Sequence, residues 1–208
     1  MRLVEDRRYR IEQGGDPSGK TPIAGEAGLT AAELEDFAAR RRLRIGEGGA
    51  QRYVDCGNAY GIRGDVAFCQ ALYEARWLSE KRLVPWAANR LPDLWGSTGR
   101  DERWTESFIE EHIRLLYRFA KAEELPGRAT PELGRSAIRL QAIDELGYRG
   151  ELRFWEDLNG KWSPFGFRYG QDVVAIWRNL ELWATIRRER MEHIGRMERM
   201  ERMERGTI

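Results

Sequence analysis

Glu74 is the residue of this sequence with the clearest capacity for chemistry. It ends segment 61–74, GIRGDVAFCQALYE, which reads as a tight turn followed by a short helix with one apolar side. A carboxyl group there either lies in water without a special role or is held against apolar neighbours. Apolar surroundings disfavour ionisation, raise the pKa of a carboxyl group and allow it to act as a general acid. Glu74 is therefore the candidate catalytic residue.

Aromatic side chains are the second group with functional potential, because the chain contains eight tryptophans. A Trp ring packs well in a core and also stacks on a sugar ring. We expect core packing for most of them. Trp86, Trp95 and Trp104 lie in loop-like sequence and are the candidates for an exposed groove.

Other reactive groups are few. Cys56 and Cys69 have neither the density of a disulfide scaffold nor the clustering of a metal site, so we expect free thiols, with a single bridge between adjacent helices as the alternative. His112 falls within a helical period, without a Cys or Ser nucleophile nearby in sequence, and is predicted to be structural. We predict no metal and no cofactor.

The composition narrows the classes of partner. Lys and Arg number 35 against 34 Asp and Glu, a net charge of +1, which lacks the basic excess of a nucleic-acid binder. No segment approaches the roughly 20 apolar residues of a membrane span. The first eight residues do not resemble a secretory signal peptide, since no apolar run follows their charges. A globular, soluble protein is the expectation.

Helix signals are frequent along the chain. Capping boxes at residues 30–33 and 107–110 predict two helix starts, and Thr130-Pro131 predicts a third. Asp65 at the start of the helix that carries Glu74 favours both its cap and its dipole. Between Ser79 and Thr105 the helical period is lost, which predicts a loop or short hairpin, and residues 150–169 form a second aromatic, loop-like segment.

The two ends of the chain differ from its middle. Residues 13–28 are rich in Gly, Pro and Ser, which predicts a flexible entry segment. A last amphipathic helix begins near Gln171, and Met-Glu-Arg repeats follow at 197–205. We therefore divide the chain into a flexible segment (1–28), a domain (29–186) and a charged helical tail (187–208). The tail is predicted to be exposed, with an interaction helix as the alternative.

Several motifs occur in the order found in one known family. They are TPIAG at 21–25 with LT at 29–30, segment 61–74, EHIRLL at 111–116, DLNGKW at 157–162 and YG at 169–170. Together they resemble the N-acetylglucosaminidase domains of bacterial peptidoglycan hydrolases. The resemblance implies a mainly α, lysozyme-like α+β domain with a small loop or hairpin lobe after the catalytic helix. It also implies cleavage of the β-1,4 bond after N-acetylglucosamine, with Glu74 as the catalytic acid.

The resemblance also directs the choice of further site residues. Tyr73, Trp77 and Leu78 are expected to supply apolar surroundings for Glu74. The second carboxylate is less well marked: Asp93, Asp101, Glu102 and Glu106 compete, and we favour Asp101 or Glu102 on a predicted turn. The predicted substrate-binding residues are Trp77, Asn89, Trp95, Trp162 and Tyr169.

Two departures from the family pattern leave alternatives open. Residues 88–96 replace an Asn-Asn-Phe-Ala-Gly type stretch, and Trp162 stands where many relatives have Tyr. The leading hypothesis is a hydrolase in which either water or the substrate's acetamido group attacks the anomeric carbon. A glycan-binding or structural module without turnover, and a helical assembly protein, are the alternatives. Hydrolysis of peptidoglycan implies a cell-wall or extracellular location, or release from the cytoplasm by lysis or with a phage-like apparatus.

Overall fold

The structure, a computed structural model, describes residues 19–80, 104–126, 135–162 and 168–205. In these ranges the protein is mainly helical, as predicted. The α-helices are α1 (Ala31–Arg40), α2 (Gly49–Tyr60), α3 (Gly64–Glu80), α4 (Glu106–Ala120), α5 (Arg135–Glu145) and α6 (Tyr169–Arg205), and a 3-10 helix occupies Trp155–Leu158. β structure in the described part of the chain is limited to two single bridges, Pro22 with Phe154 and Ala24 with Ile62.

Helix α3 lies at the centre of the fold, packed against α2 and α6 and also touching α1 and α4. Its contact with α2 is very close. A Cβ added at Gly64 would lie 2.0 Å from the backbone oxygen of Tyr53, and one at Gly57 would lie 2.6 Å from the Cα of Gly64. Because only glycine permits this approach, the two glycines bring Tyr53 of α2 against the buried face of α3.

Asp65, which was predicted to favour the start of α3, is 0% exposed. Its Oδ1 accepts the Val66 N–H at 3.0 Å, and its Oδ2 accepts the Gly28 N–H at 3.1 Å and the Trp177 indole N–H at 2.8 Å. Arg63 forms an ion pair with it at 3.3 Å. The carboxylate thus connects the start of α3 to α6 and to the segment before α1.

One predicted capping box is confirmed and the other is wrong. Thr30 and Glu33 exchange side-chain and backbone hydrogen bonds at the start of α1. At α4 the helix begins at Glu106 with Thr105 as its N-cap, without a side-chain cap. Glu110 instead accepts the Tyr60 hydroxyl at 2.7 Å, so a tertiary contact uses the carboxylate expected in the cap.

Ordered structure begins before the predicted boundary at residue 28. Ile23 is fully buried; its N–H donates to the Arg153 carbonyl at 2.9 Å, and its own carbonyl accepts the Arg63 N–H at 2.9 Å. Apolar burial and pairing on two sides hold this segment in place, although its local composition is typical of a loop. Residues 1–18 lie outside the described ranges.

Trp104 is a core residue, contrary to the prediction of an exposed groove position. Its side chain is 5% exposed, and its ring centroid lies 5.7 Å from that of Phe68 and 6.1 Å from that of Tyr53. A Cβ at Gly46 would come within 2.5 Å of the Cβ of Trp104. Loop-like sequence on either side did not reveal that this indole points inward.

Helix α6 continues through the predicted domain boundary at 186/187 to Arg205 without interruption. At 37 residues it is about 55 Å long at 1.5 Å per residue. Just beyond the boundary, Arg187 pairs with Asp36 and Arg188 pairs with Glu33 of α1. The Met side chains of the repeat that the structure describes are exposed, as predicted. Within the described residues, no helix combines the length and apolarity that crossing a membrane requires.

Candidate active site

Glu74 lies on α3 with its side chain only 6% exposed. Two donors meet its Oε1 atom: the Trp162 indole N–H at 2.8 Å, and the Tyr169 hydroxyl in a short hydrogen bond. The three residues lie far apart in sequence. The structure therefore brings together three of the predicted site residues, Glu74, Trp162 and Tyr169, in direct contact.

Asn159 and Gly170 explain why Trp162 and Tyr169 converge. The Asn159 side-chain oxygen accepts the Gly170 N–H at 2.8 Å, and its amide nitrogen donates to Gln171 at 2.8 Å. A Cβ at Gly170 would lie 2.0 Å from the carbonyl oxygen of Trp155, so only glycine allows α6 to start this close to the 3-10 helix. The DLNGKW and YG motifs thus meet through backbone geometry.

The ring of Trp162 is enclosed, which differs from the predicted role of stacking on a sugar. Its centroid lies 5.3 Å from that of His112 and 5.8 Å from that of Phe119, and the Arg139 guanidinium lies 5.2 Å from it. The side chain is 3% exposed. In this structure Trp162 therefore contributes a donor to Glu74 and not an open face.

Tyr169 is also fully enclosed, against Tyr73 at a centroid separation of 5.6 Å. Burial, followed by the nearby Glu74 carboxylate, raises the pKa of Tyr169 well above its usual value. Its hydroxyl consequently keeps its proton and remains a donor. The Tyr73 hydroxyl donates to Asp172 at 3.2 Å, which ties α3 to the first turn of α6.

A second layer of buried polar groups extends from Tyr169 into the core. Gln70 donates to the Tyr169 hydroxyl at 2.7 Å, and its oxygen contacts His112 Nε2 at 3.0 Å. His112 Nδ1 in turn contacts the Tyr53 hydroxyl at 2.9 Å. All these side chains are 0–1% exposed. These side chains form one continuous series of hydrogen bonds that leads to Glu74.

Sequence reasoning missed Gln70, Tyr53 and the buried Arg139 as members of this site. A signal existed for Gln70, because residues four apart share one face of a helix and Gln70 precedes Glu74 by four. No local sequence pattern indicated Tyr53 or Arg139, because they lie on α2 and α5, far from Glu74 in sequence. His112, predicted to be structural, lies in the core as expected. It is also a member of this series of hydrogen bonds, through its contact with Gln70.

The remaining predicted site residues lie outside the part of the chain that can be described. They are Asn89, Trp95, Asp101 and Glu102, together with the side chain of Trp77. The described residues contain no cluster of three or more His, Cys, Asp or Glu side chains that would hold a metal ion. Cys56 and Cys69 are free thiols, and burial raises the pKa of Cys56 to about 12.

No family model, no curated protein and no solved structure matches this chain. The geometry around Glu74 and the motifs that form it are therefore the basis on which a function is inferred.

The buried His112 predicts how stability depends on pH. Burial, and then the Arg139 cation, lower its pKa from 6.5 to about 3. Below pH 6.5 the unfolded chain binds a proton that the native chain rejects, so stability is lost as pH falls towards 3. Relative to His112→Gln, we expect the parent to lose up to about 1.4 kcal/mol of unfolding free energy for each pH unit in this window. Denaturant unfolding at several pH values measures it, and parallel pH profiles would contradict the prediction.

Proposed function

We propose that this protein is a peptidoglycan hydrolase with a lysozyme-like domain, and that Glu74 is the general acid that protonates the glycosidic oxygen. The observation that carries the proposal is the burial of Glu74 with two neutral donors on one of its oxygens. Burying a carboxyl group costs free energy, and strict stability would favour an apolar residue there. Such a group, held in a fixed orientation, is typical of a functional site.

The geometry also supports a defined position for the transferred proton. An indole N–H only donates, so Oε1 of Glu74 must accept from Trp162. With the Tyr169 hydroxyl donating to the same atom, the proton of the acid form belongs on Oε2. One oxygen of Glu74 is thus anchored. The other, Oε2, is buried in this structure, so transfer of its proton to the leaving group requires that the glycan reach this atom.

The motifs that meet at Glu74 support the substrate class. Segment 61–74 supplies the carboxyl group, DLNGKW supplies Trp162, and YG supplies Tyr169. These are three of the motifs that resemble the N-acetylglucosaminidase domains. Their contact through Glu74 is the reason to prefer glycoside hydrolysis over other acid-catalysed reactions.

A second candidate function, a glycan-binding module without turnover, is favoured by one observation. Glu74 is 6% exposed and its Oε2 atom is buried, so the arrangement of the described residues restricts the access of a glycosidic oxygen to the acid. This candidate predicts binding to peptidoglycan without cleavage.

Analysis of digestion products separates the two candidates. Purified protein is incubated with peptidoglycan, the new ends are reduced with borohydride, and the fragments are identified by mass spectrometry. We expect new reducing ends that carry N-acetylglucosamine. Binding without new ends would support the module, and reducing ends that carry N-acetylmuramic acid would contradict the proposed bond specificity.

A further inference from the structure

The buried side chains behind Glu74 form an uninterrupted series of hydrogen bonds. In order they are Tyr53, His112, Gln70, Tyr169 and Glu74, with separations of 2.9 Å, 3.0 Å and 2.7 Å before the final short contact. They come from α2, α4, α3 and the start of α6. Four elements of the fold thus contribute to the orientation of a single carboxylate oxygen.

The direction of every bond in this series follows from its ends. Tyr169 donates its only hydroxyl proton to Glu74, so its oxygen must accept from the Gln70 amide nitrogen. The Gln70 oxygen then faces His112 Nε2, which must carry a proton. The reverse direction would turn the lone pairs of Tyr169 towards the carboxylate.

The other ring nitrogen of His112, Nδ1, faces Tyr53. A neutral imidazole with its proton on Nε2 has an acceptor at Nδ1, and the Tyr53 hydroxyl lies 2.9 Å from that atom. The low pKa of His112, about 3, keeps the ring neutral at physiological pH. The ring therefore donates to Gln70 and accepts from Tyr53.

We propose that His112 is a positioning residue which, through Gln70, holds the Tyr169 hydroxyl as a donor to Oε1 of Glu74. This inference rests on the proposed hydrolase function. His112 acts on Glu74 through two intermediates, Gln70 and Tyr169. Without its Nε2 proton, the Gln70 amide loses the partner that sets its orientation, and Tyr169 loses the donor that turns its hydroxyl towards Glu74.

The first test measures the tautomer without reference to activity. The chain contains two histidines, and His193 is exposed on α6, so a His193→Gln variant assigns the imidazole ¹⁵N signals. For His112 we expect the neutral tautomer with the proton on Nε2 throughout pH 5 to 8. A proton on Nδ1, or a charged ring at pH 7, would overturn the proposal.

The second test compares two substitutions of His112 in a peptidoglycan hydrolysis assay. His112→Met removes both ring nitrogens, whereas His112→Gln keeps an N–H donor that reaches towards Gln70. We expect kcat to fall about 10- to 100-fold in the Met variant with KM little changed, as for a misplaced catalytic group. The Gln variant should recover most of the lost kcat. Thermal unfolding of both variants measures their stability separately.

The outcomes distinguish this inference from the function on which it rests. An active Met variant with the kcat of the parent overturns the positioning role alone. Equal losses in the Met and Gln variants also overturn it, because only a donor-dependent role predicts rescue. An inactive parent with the Nε2 tautomer intact overturns the hydrolase function, while the direction of the hydrogen bonds stands.

Discussion

Glu74→Gln is expected to lower the rate of peptidoglycan cleavage by about 10²- to 10⁴-fold, the range that general acid catalysis contributes. The substitution is isosteric, and the Gln oxygen still accepts from Trp162 and Tyr169 in place of Oε1. The substitution removes the acidic proton that is proposed to lie on Oε2 of Glu74. The measurement is the rate at which new reducing ends form under identical conditions.

A matched control is available in Glu110→Gln. Glu110 is partly buried and, like Glu74, accepts a tyrosine hydroxyl, that of Tyr60 at 2.7 Å, but it lies on α4 outside the hydrogen-bond series behind Glu74. We expect this variant to retain the activity of the parent. An active Glu74→Gln protein, or equal losses in both variants, would remove Glu74 from the catalytic role.

Asp65→Ala is expected to lower the free energy of unfolding by about 3–5 kcal/mol. The carboxylate is fully buried and accepts from Val66, Gly28 and Trp177. Its removal leaves these donors without their acceptor and the Arg63 guanidinium without its ion-pair partner. Urea titration followed by circular dichroism measures the change.

The control for this prediction is Asp55→Ala on the exposed face of α2. Asp55 accepts a side-chain hydrogen bond from Gln51 at 2.8 Å, one helical turn away. Exposed contacts of this kind contribute little, so the change should stay within about 0.5 kcal/mol. A similar loss in both variants would mean that the buried network of Asp65 is not the source of its effect.

Much of the local structure was predictable because its causes are local. The period of apolar residues predicted α3, α4 and α6, and the Thr30–Glu33 pair predicted the start of α1. Errors arose where distant residues decide the outcome. Glu110 pairs with Tyr60 and not with a helix end, Trp104 points inward, and Ile23 is buried between residues 63 and 153.

The sequence by itself determined that the protein is mainly helical, and its motifs singled out Glu74, Trp162 and Tyr169. Periodicity and capping act between neighbours a few residues apart, so they can be read along the chain. Only the tertiary structure decided that Trp162 and Tyr169 donate to the same oxygen of Glu74, and that Gln70 and His112 support them. These contacts depend on how closely helices approach, which glycines such as Gly64 and Gly170 permit, and no local pattern encodes that distance.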